Sequence, residues 1–225
     1  MLAEGMLQDP VHLDATLSSF LMIGSGLFWT IAYILILRRG FKDRFYGMPM
    51  VALCANLAWE FIFSFVHPHP QPQLSIDYLW LLFDVGIMVQ YLRFGRGEFP
   101  QHLPQKLFYA TFLFTLVYCG LLISFMAREF NDYIGIYAAF AQNLMMSVLF
   151  VRMLLKRNSS AGQSLYIGLS KLVGTVFPSV LFYLYFPNSY LLMLLYFGIF
   201  VLDLVYVLLL YSVMKAEGIK PWKRL

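Results

Sequence analysis

The chain has 225 residues, of which 60% are hydrophobic and only 12% are charged, with a formal net charge of +4. A soluble domain of this length needs a more charged surface, so the composition excludes a soluble globular protein and indicates an integral membrane protein. The positive charge does not indicate nucleic-acid binding, because the basic residues lie in short segments between apolar runs.

Seven apolar runs follow one another along the chain, each close to the roughly 20 residues that a helix needs to cross a bilayer. The predicted spans cover residues 17–37, 47–66, 76–94, 107–127, 133–155, 166–186 and 190–213. Because the connections are short, the chain is predicted to be one all-α domain, 1–225, in the form of a seven-helix transmembrane bundle.

The basic residues predict the orientation of this bundle. Of the 16 lysines and arginines, 14 flank connections on one side, Arg128 lies on the other side, and Lys171 lies within a span. Since basic residues are retained on the cytoplasmic side, the N-terminus is predicted to be outside or lumenal and the C-terminus cytoplasmic.

Four ionisable residues fall inside predicted spans, where they are costly and mark functional sites by default. They are Glu60, Asp84, Lys171 and Asp203. With a rise of about 1.5 Å per residue, the three acids lie in one thin slab near the bilayer centre. Lys171 lies near the cytoplasmic end of its span, where it can extend to the interface or pair with Asp84.

Uncharged polar residues accompany the acids. Asn56 lies four residues before Glu60 on one helix face, so its amide is predicted to bond and orient the Glu60 carboxyl. Trp59 is predicted to line the same cavity. Gln142 and Asn143 add polarity at mid-bilayer in the fifth span, where interhelical hydrogen bonding is the alternative role.

Aromatic residues share the helix faces of the other two acids. Trp80 lies one turn before Asp84, and Tyr196 and Tyr206 lie on the Asp203 face of the last span. These three and Asp84 are predicted to bind or orient substrate. The alternative is plain packing for the aromatic residues and a structural hydrogen-bonding role for Asp84.

A carboxyl group in a low-dielectric interior favours its neutral form, so Glu60 and Asp203 are expected to hold protons near neutral pH. A protonated acid facing a lipid substrate is a proton donor. Aromatic ring faces stabilise the resulting carbocation without attacking it. These residues therefore favour proton-initiated cyclisation of a prenyl chain.

Motifs for metal and nucleotide chemistry do not occur in the sequence. There is no Asp-Asp pair, and hence neither the DDxxD magnesium motif nor the DxDD motif of soluble cyclases. GxGxxG, a P-loop and HExxH do not occur either. No metal and no organic cofactor are predicted.

Three stretches resemble a known family. They are NLAWEF in the second span, YLWLLFDVGIMVQYLRFG in the third and the lone Asp203 in the seventh. In these and in its span count, the chain resembles the small seven-transmembrane terpene cyclases of fungal meroterpenoid and indole-diterpene biosynthesis. The resemblance covers nearly the whole chain, and Asn-x-x-Trp-Glu is its most distinctive part.

The resemblance implies a metal-independent terpene cyclase of the isomerase or lyase type. Its substrate would be a lipophilic prenylated molecule, commonly with an epoxide on the chain that is protonated to trigger ring closure. It also implies Glu60 as the proton donor, Asp203 as partner acid or final base, and Asn56 as the residue that orients Glu60. A prenyltransferase and an epoxidase would be pathway partners, and the membrane would be the endoplasmic reticulum in a fungus or the cytoplasmic membrane in a bacterium.

The main alternative is a proton-coupled small-molecule transporter that uses Glu60, Asp84 and Asp203 as a proton relay. A retinal protein normally needs a lysine in its last span, and here the ionisable residue of that span is Asp203. A membrane scaffold without catalytic function would not explain the acids at mid-membrane.

Overall fold

The computed structural model describes residues 10–225, and this part of the chain is helical without any strand. Residues 1–9, which the predicted domain includes, lie outside the described residues. The helices are α1 (Ala15–Asp43), α2 (Met50–Phe61), α3 (Gln73–Phe94), α4 (Lys106–Glu129), α5 (Ile136–Arg157), α6 (Leu165–Tyr185) and α7 (Tyr190–Ala216). They follow the order of the predicted spans.

Six of the seven helices are long and apolar enough to cross a membrane, and α2 is the exception. A π-helical turn, Ile62–Val66, extends α2 to an apolar helix over Met50–Val66. At about 1.5 Å per residue this helix measures roughly 25 Å, which is shorter than a hydrocarbon core of about 30 Å. The fold is thus that of a multi-pass membrane protein with six helices of full spanning length.

The short helix α2 lies in the interior of the bundle. Residues 52–60 are all buried, on every face of the helix. It packs against α3, α4 and α5, whereas α1 packs against α3 and α6, and α7 packs against α5 and α6. A helix enclosed in this way does not need the full bilayer thickness, because other helices cover its sides.

The outer surface of the bundle is apolar. Large side chains such as Leu82, Phe114 and Phe197 are each about two-thirds exposed. A surface of this kind fits the acyl chains of a bilayer.

Ion pairs connect the loops at the end of the bundle where the C-terminal tail lies. Arg224 contacts Asp43 at 2.8 Å, and Arg157 contacts Glu98 at 2.6 Å. Glu217 accepts hydrogen bonds from the Ser159 hydroxyl and from Ser160. The tail and the connections α1–α2, α3–α4 and α5–α6 are therefore held together at this end.

Candidate active site

Glu60 is the acid of the central helix, and it is 3% exposed. Its Oε2 atom has no hydrogen-bond partner among the described residues. It lies directly before the π-helical turn, in which His67 N–H donates to the Ile62 carbonyl at 2.8 Å. Such turns are rare and often occur at functional sites.

A second acid lies close to Glu60 on the facing helix. Asp84 of α3 is fully buried, and neither of its carboxyl oxygens has a partner among residues 10–225. The two acids thus lie on packed helices, α2 and α3, and both have carboxyl oxygens without a partner among the described residues. Because an unpartnered charge is costly in an apolar interior, this burial favours the neutral form of each acid.

Asn56 has a different partner from the one predicted. Its Nδ2 atom donates to the Tyr33 hydroxyl oxygen at 2.7 Å instead of bonding the Glu60 carboxyl. The reason is that Tyr33 of α1 extends into the space between α2 and α3. Tyr33 was not predicted to be a site residue, although its hydroxyl lies within the first predicted span and could have identified it.

Asp203 lies in an ion pair instead of being an isolated neutral acid. Lys171 Nζ donates to its two oxygens at 2.7 and 2.8 Å, and to the Ser147 hydroxyl at 2.8 Å. Lys171 is 2% exposed and Asp203 is 2% exposed. A lysine bonded to both oxygens fits an ionised carboxylate, in contrast to the protonated Asp203 expected from the sequence.

The two expectations for Lys171 were wrong. Its ammonium group does not reach the interface, because the side chain turns inward between α5 and α7, and its carboxylate partner is Asp203 instead of Asp84. The charge of Lys171 balances the charge of Asp203, so a carboxylate can exist in this apolar interior.

Aromatic rings lie between the Glu60 group and the Asp203 group. The Lys171 ammonium lies 5.8 Å from the centre of the Trp29 ring, and Trp29 lies 6.1 Å from Tyr33. Tyr33 in turn lies 6.2 Å from Trp80 and 6.0 Å from Phe83, centre to centre. These rings, together called the aromatic surface, thus form a row from the Lys171–Asp203 pair to Tyr33, which accepts a hydrogen bond from Asn56 of the Glu60 helix.

Three of the predicted aromatic residues use their polar atoms to bond other parts of the bundle. The Trp80 indole donates to the Thr30 hydroxyl at 3.1 Å, and the Trp59 indole donates to the Gly135 carbonyl at 3.1 Å. The third residue, Tyr206, donates to the Gln163 side chain at 2.7 Å instead of to Asp203.

The two amides of α5 differ in their surroundings. Asn143 donates to the Thr175 hydroxyl at 3.0 Å, while its own side-chain oxygen has no partner among the described residues. The side-chain oxygen of Gln142 is also buried without a partner there. The Ser147 hydroxyl, which accepts a hydrogen bond from Lys171, donates to the backbone carbonyl of Asn143, so Asn143 is connected to the Lys171 group through its backbone.

A cavity of about 270 Å³ lies between α6 and α7. Asp203 and Tyr196 line it, and the hydroxyl of Tyr196 is buried without a hydrogen-bond partner among the described residues. Glu60 is not among the lining residues. Of the predicted site residues, Asp203 and Tyr196 are therefore the two that face this space.

A pair formed by His69 and Asp77 lies just beyond the C-terminal end of the helix that contains Glu60. His69 Nδ1 lies 2.7 Å from Asp77, and its Nε2 lies 3.0 Å from the Ile134 carbonyl. The ring stacks on Phe63 and lies near Trp59. Burial lowers the pKa of His69, but the bonds to Asp77 and to the Ile134 carbonyl outweigh it and raise the pKa above its usual value.

Raising the pH should therefore destabilise this end of the bundle. The protonated His69 contributes its full stabilisation below its unfolded pKa of about 6.5, and this contribution is lost as pH rises through the higher pKa of the folded state. We expect the melting temperature of the purified protein to fall as the pH rises above about 6.5. His69→Gln should flatten this slope, and His102→Gln, at an exposed position, should not. Equal slopes in all three proteins would contradict the pairing.

Comparisons with known proteins show which family the chain resembles. Residues 7–216 match the model of a family described as Pyr4-like transmembrane terpene cyclases. The chain is 36% identical over 177 residues to the Pyr4-family terpene cyclase mfmH of Annulohypoxylon moriforme, which covers 76% of this chain and 73% of the relative. It is 29% identical over 181 residues to the terpene cyclase penB of Penicillium crustosum, covering 77% and 74% of the two chains.

A third relative matches over more of its length. The chain is 28% identical over 214 residues to the terpene cyclase nodB of Hypoxylon pulicicidum, covering 89% of this chain and 88% of the relative. Since the relatives named here are all terpene cyclases, the comparisons favour an enzyme over the transporter considered from the sequence.

Proposed function

The chain belongs to the Pyr4-like transmembrane terpene cyclases, enzymes that cyclise terpenoids, and we propose that it closes rings on an epoxidised prenyl chain after protonating the epoxide. The prenyl chain would belong to a meroterpenoid-type substrate, in which it is attached to an aromatic or polyketide group. The observation that carries this proposal is a buried acid, Glu60, whose Oε2 atom lacks a hydrogen-bond partner in the described part of an apolar bundle.

Glu60 is the proton donor in this proposal. A neutral carboxyl group can deliver a proton to an epoxide oxygen, and burial keeps water from competing for that proton. As the proton moves, the carbon–oxygen bond of the epoxide breaks and positive charge grows on carbon. Asp84 on the adjacent helix α3 supports this role, because a second buried acid offers no positive charge that would stabilise an ionised Glu60.

Asp203 is the base that accepts the final proton in this proposal. After a chain alkene attacks the carbocation, the charge moves along the chain until a C–H proton is lost, and a carboxylate can accept that proton. Lys171 holds the Asp203 carboxylate by two hydrogen bonds and is itself positioned by a third, which it donates to Ser147, so the group is preorganised before substrate binds. The epoxide oxygen thus gains one proton and the carbon skeleton loses one, so the product is an isomer of the substrate. Asp203 then gives up the proton that it accepted, and Glu60 takes up a proton before the next turnover.

The aromatic surface between these two groups would stabilise the cation in transit. The centre of the Tyr33 ring lies about 6 Å from the centres of the Trp29 and Trp80 rings. A ring face attracts a cation within about 6 Å of its centre and is worth about 2 kcal/mol or more when water is excluded. Asn56 supports this surface by fixing the Tyr33 hydroxyl.

The distribution of the basic residues supports a proposal for the membrane arrangement. We infer seven crossings, with α2 enclosed by the other helices, the N-terminus outside or lumenal and the C-terminal tail cytoplasmic. The membrane would be the endoplasmic reticulum in a fungus and the cytoplasmic membrane in a bacterium. A prenyltransferase and an epoxidase must act earlier, because the substrate needs both a prenyl chain and an epoxide.

The test compares two substrates that differ in the epoxide alone. Membranes containing the protein are incubated with a farnesylated phenol and with the same phenol bearing a terminal epoxide, in the presence of a chelator. We expect the epoxide to give a cyclised product of unchanged mass, and the plain phenol to give none. Equal products from both would mean that an alkene is protonated instead, and no product from either would contradict the proposed function.

A further inference from the structure

The cavity between α6 and α7 borders on the lipid-facing surface of the bundle. Its outer rim is formed by Val176 and Val180 of α6 and by Phe197 and Phe200 of α7, which are 40–68% exposed. Its inner end reaches Asp203, which is 98% buried. The cavity therefore runs from the membrane towards the carboxylate of the proposed mechanism.

The chemistry of the lining matches an isoprenoid chain. Nearly all of the lining is apolar, with side chains such as Leu172 and Ile199. Sites that enclose a whole drug-sized molecule measure about 300–1,000 Å³, so a cavity of about 270 Å³ fits a chain better than a complete prenylated molecule. The carboxylate at its inner end suits a chain on which positive charge develops.

Two further features lie at the wall of the cavity. Tyr196 lines this space, and its hydroxyl is buried without a hydrogen-bond partner among the described residues. Pro178 lies inside α6 and cannot donate to the carbonyl of Gly174, so the helix ladder is interrupted at the wall of the cavity. A helix interrupted at this level is easier to displace when a chain passes.

We propose that this cleft, defined by Val176, Val180, Phe197, Phe200 and Asp203, is the lateral access route and binding site for the prenyl chain of the substrate. The chain enters directly from the acyl-chain region between α6 and α7, and its reacting carbons come to lie near Asp203. The proposal rests on the proposed function. It adds the path by which the substrate enters and the residues that determine which length of prenyl chain is accepted.

The test fills the cleft with a bulky side chain. Val176→Trp and Val180→Trp narrow the rim, and Leu194→Trp is the matched control, because Leu194 is 67% exposed on α7 outside the cleft. In lipid nanodiscs we expect the two cleft variants to lose at least about tenfold in kcat/KM for a farnesylated epoxide relative to a geranylated one. Leu194→Trp should keep the wild-type ratio. A wild-type ratio in both cleft variants would overturn the proposal.

A binding readout separates this proposal from the proposed function. A farnesyl analogue carrying a diazirine is photoactivated with the purified protein, and the labelled peptides are identified by mass spectrometry. We expect labels on residues 172–183 and 196–203, lost in Val176→Trp and retained in Leu194→Trp. Such labelling in a protein that makes no product would support the cleft while contradicting the function, and product formation with labels on other helices would overturn the cleft alone.

Discussion

Replacing Glu60 by glutamine should lower the rate of cyclisation by about 10²–10⁴-fold, the range that a positioned general acid contributes. Glutamine keeps the shape of the side chain but has no acidic proton. The fold should survive, because Glu60 forms no ion pair among residues 10–225 and its Oε2 atom accepts no hydrogen bond there. The measurement is product formed per enzyme at saturating substrate, by mass spectrometry, with purified protein in lipid.

Asp84→Asn is the matched control for this substitution. Asp84 is as buried as Glu60 and belongs to the same group of residues, so both variants remove one acid from one region. We expect Asp84→Asn to keep at least about a tenth of the wild-type rate, since it removes a neighbour of the donor and not the donor. If Asp84→Asn lost activity while Glu60→Gln retained it, Asp84 would be the donor.

Breaking the ion pair between Lys171 and Asp203 should cost both stability and activity. Either Lys171→Met or Asp203→Asn leaves one charge buried without its partner, at a cost of about 3–5 kcal/mol. The double variant Lys171→Met/Asp203→Asn removes both charges and should recover most of the stability, yet remain inactive. The measurements are the melting temperature in detergent and the rate of product formation, for both single variants and the double variant.

The comparison of single and double variants separates structure from chemistry. Lys171→Arg, which keeps the positive charge, should retain more activity than Lys171→Met, although the guanidinium differs in shape. If the double variant regained activity together with stability, Asp203 would have a structural role alone. If Asp203→Asn melted at the wild-type temperature, the ion pair would not exist in the protein.

The order of the helices could be predicted from the sequence, while their ends differ from the predicted ends by up to six residues, as at the end of α1, Ala15–Asp43, against the predicted 17–37. The predicted span 107–127 corresponds to Lys106–Glu129, and the predicted span 166–186 corresponds to Leu165–Tyr185. Apolar runs bounded by charges, prolines and glycines give a strong signal, because a lipid environment leaves a helix as the one regular way to satisfy the backbone of a single segment. The same signal could not predict the difference in span length, since α2 is as apolar as its neighbours.

The contacts between helices could not be predicted from the sequence. Spacing along one helix placed Asn56 beside Glu60, but the amide bonds Tyr33 of another helix. The depth of Lys171 in the membrane was consistent with the predicted partner Asp84 on α3. The rotation of α6 about its axis instead directs the Lys171 ammonium towards Asp203 on α7. Such choices depend on how whole helices are turned about their axes, and a single sequence contains little information on that.

The central claim is that Glu60 is neutral and Asp203 is ionised in the resting enzyme. The most direct measurement is infrared absorption of the protein in lipid at pH 7, in the region of the carbonyl stretch of a protonated carboxyl group. The account predicts that Glu60→Gln removes part of this band, while Lys171→Met/Asp203→Asn leaves it unchanged. A band that survives Glu60→Gln in full, or that weakens in the double variant, would contradict the account.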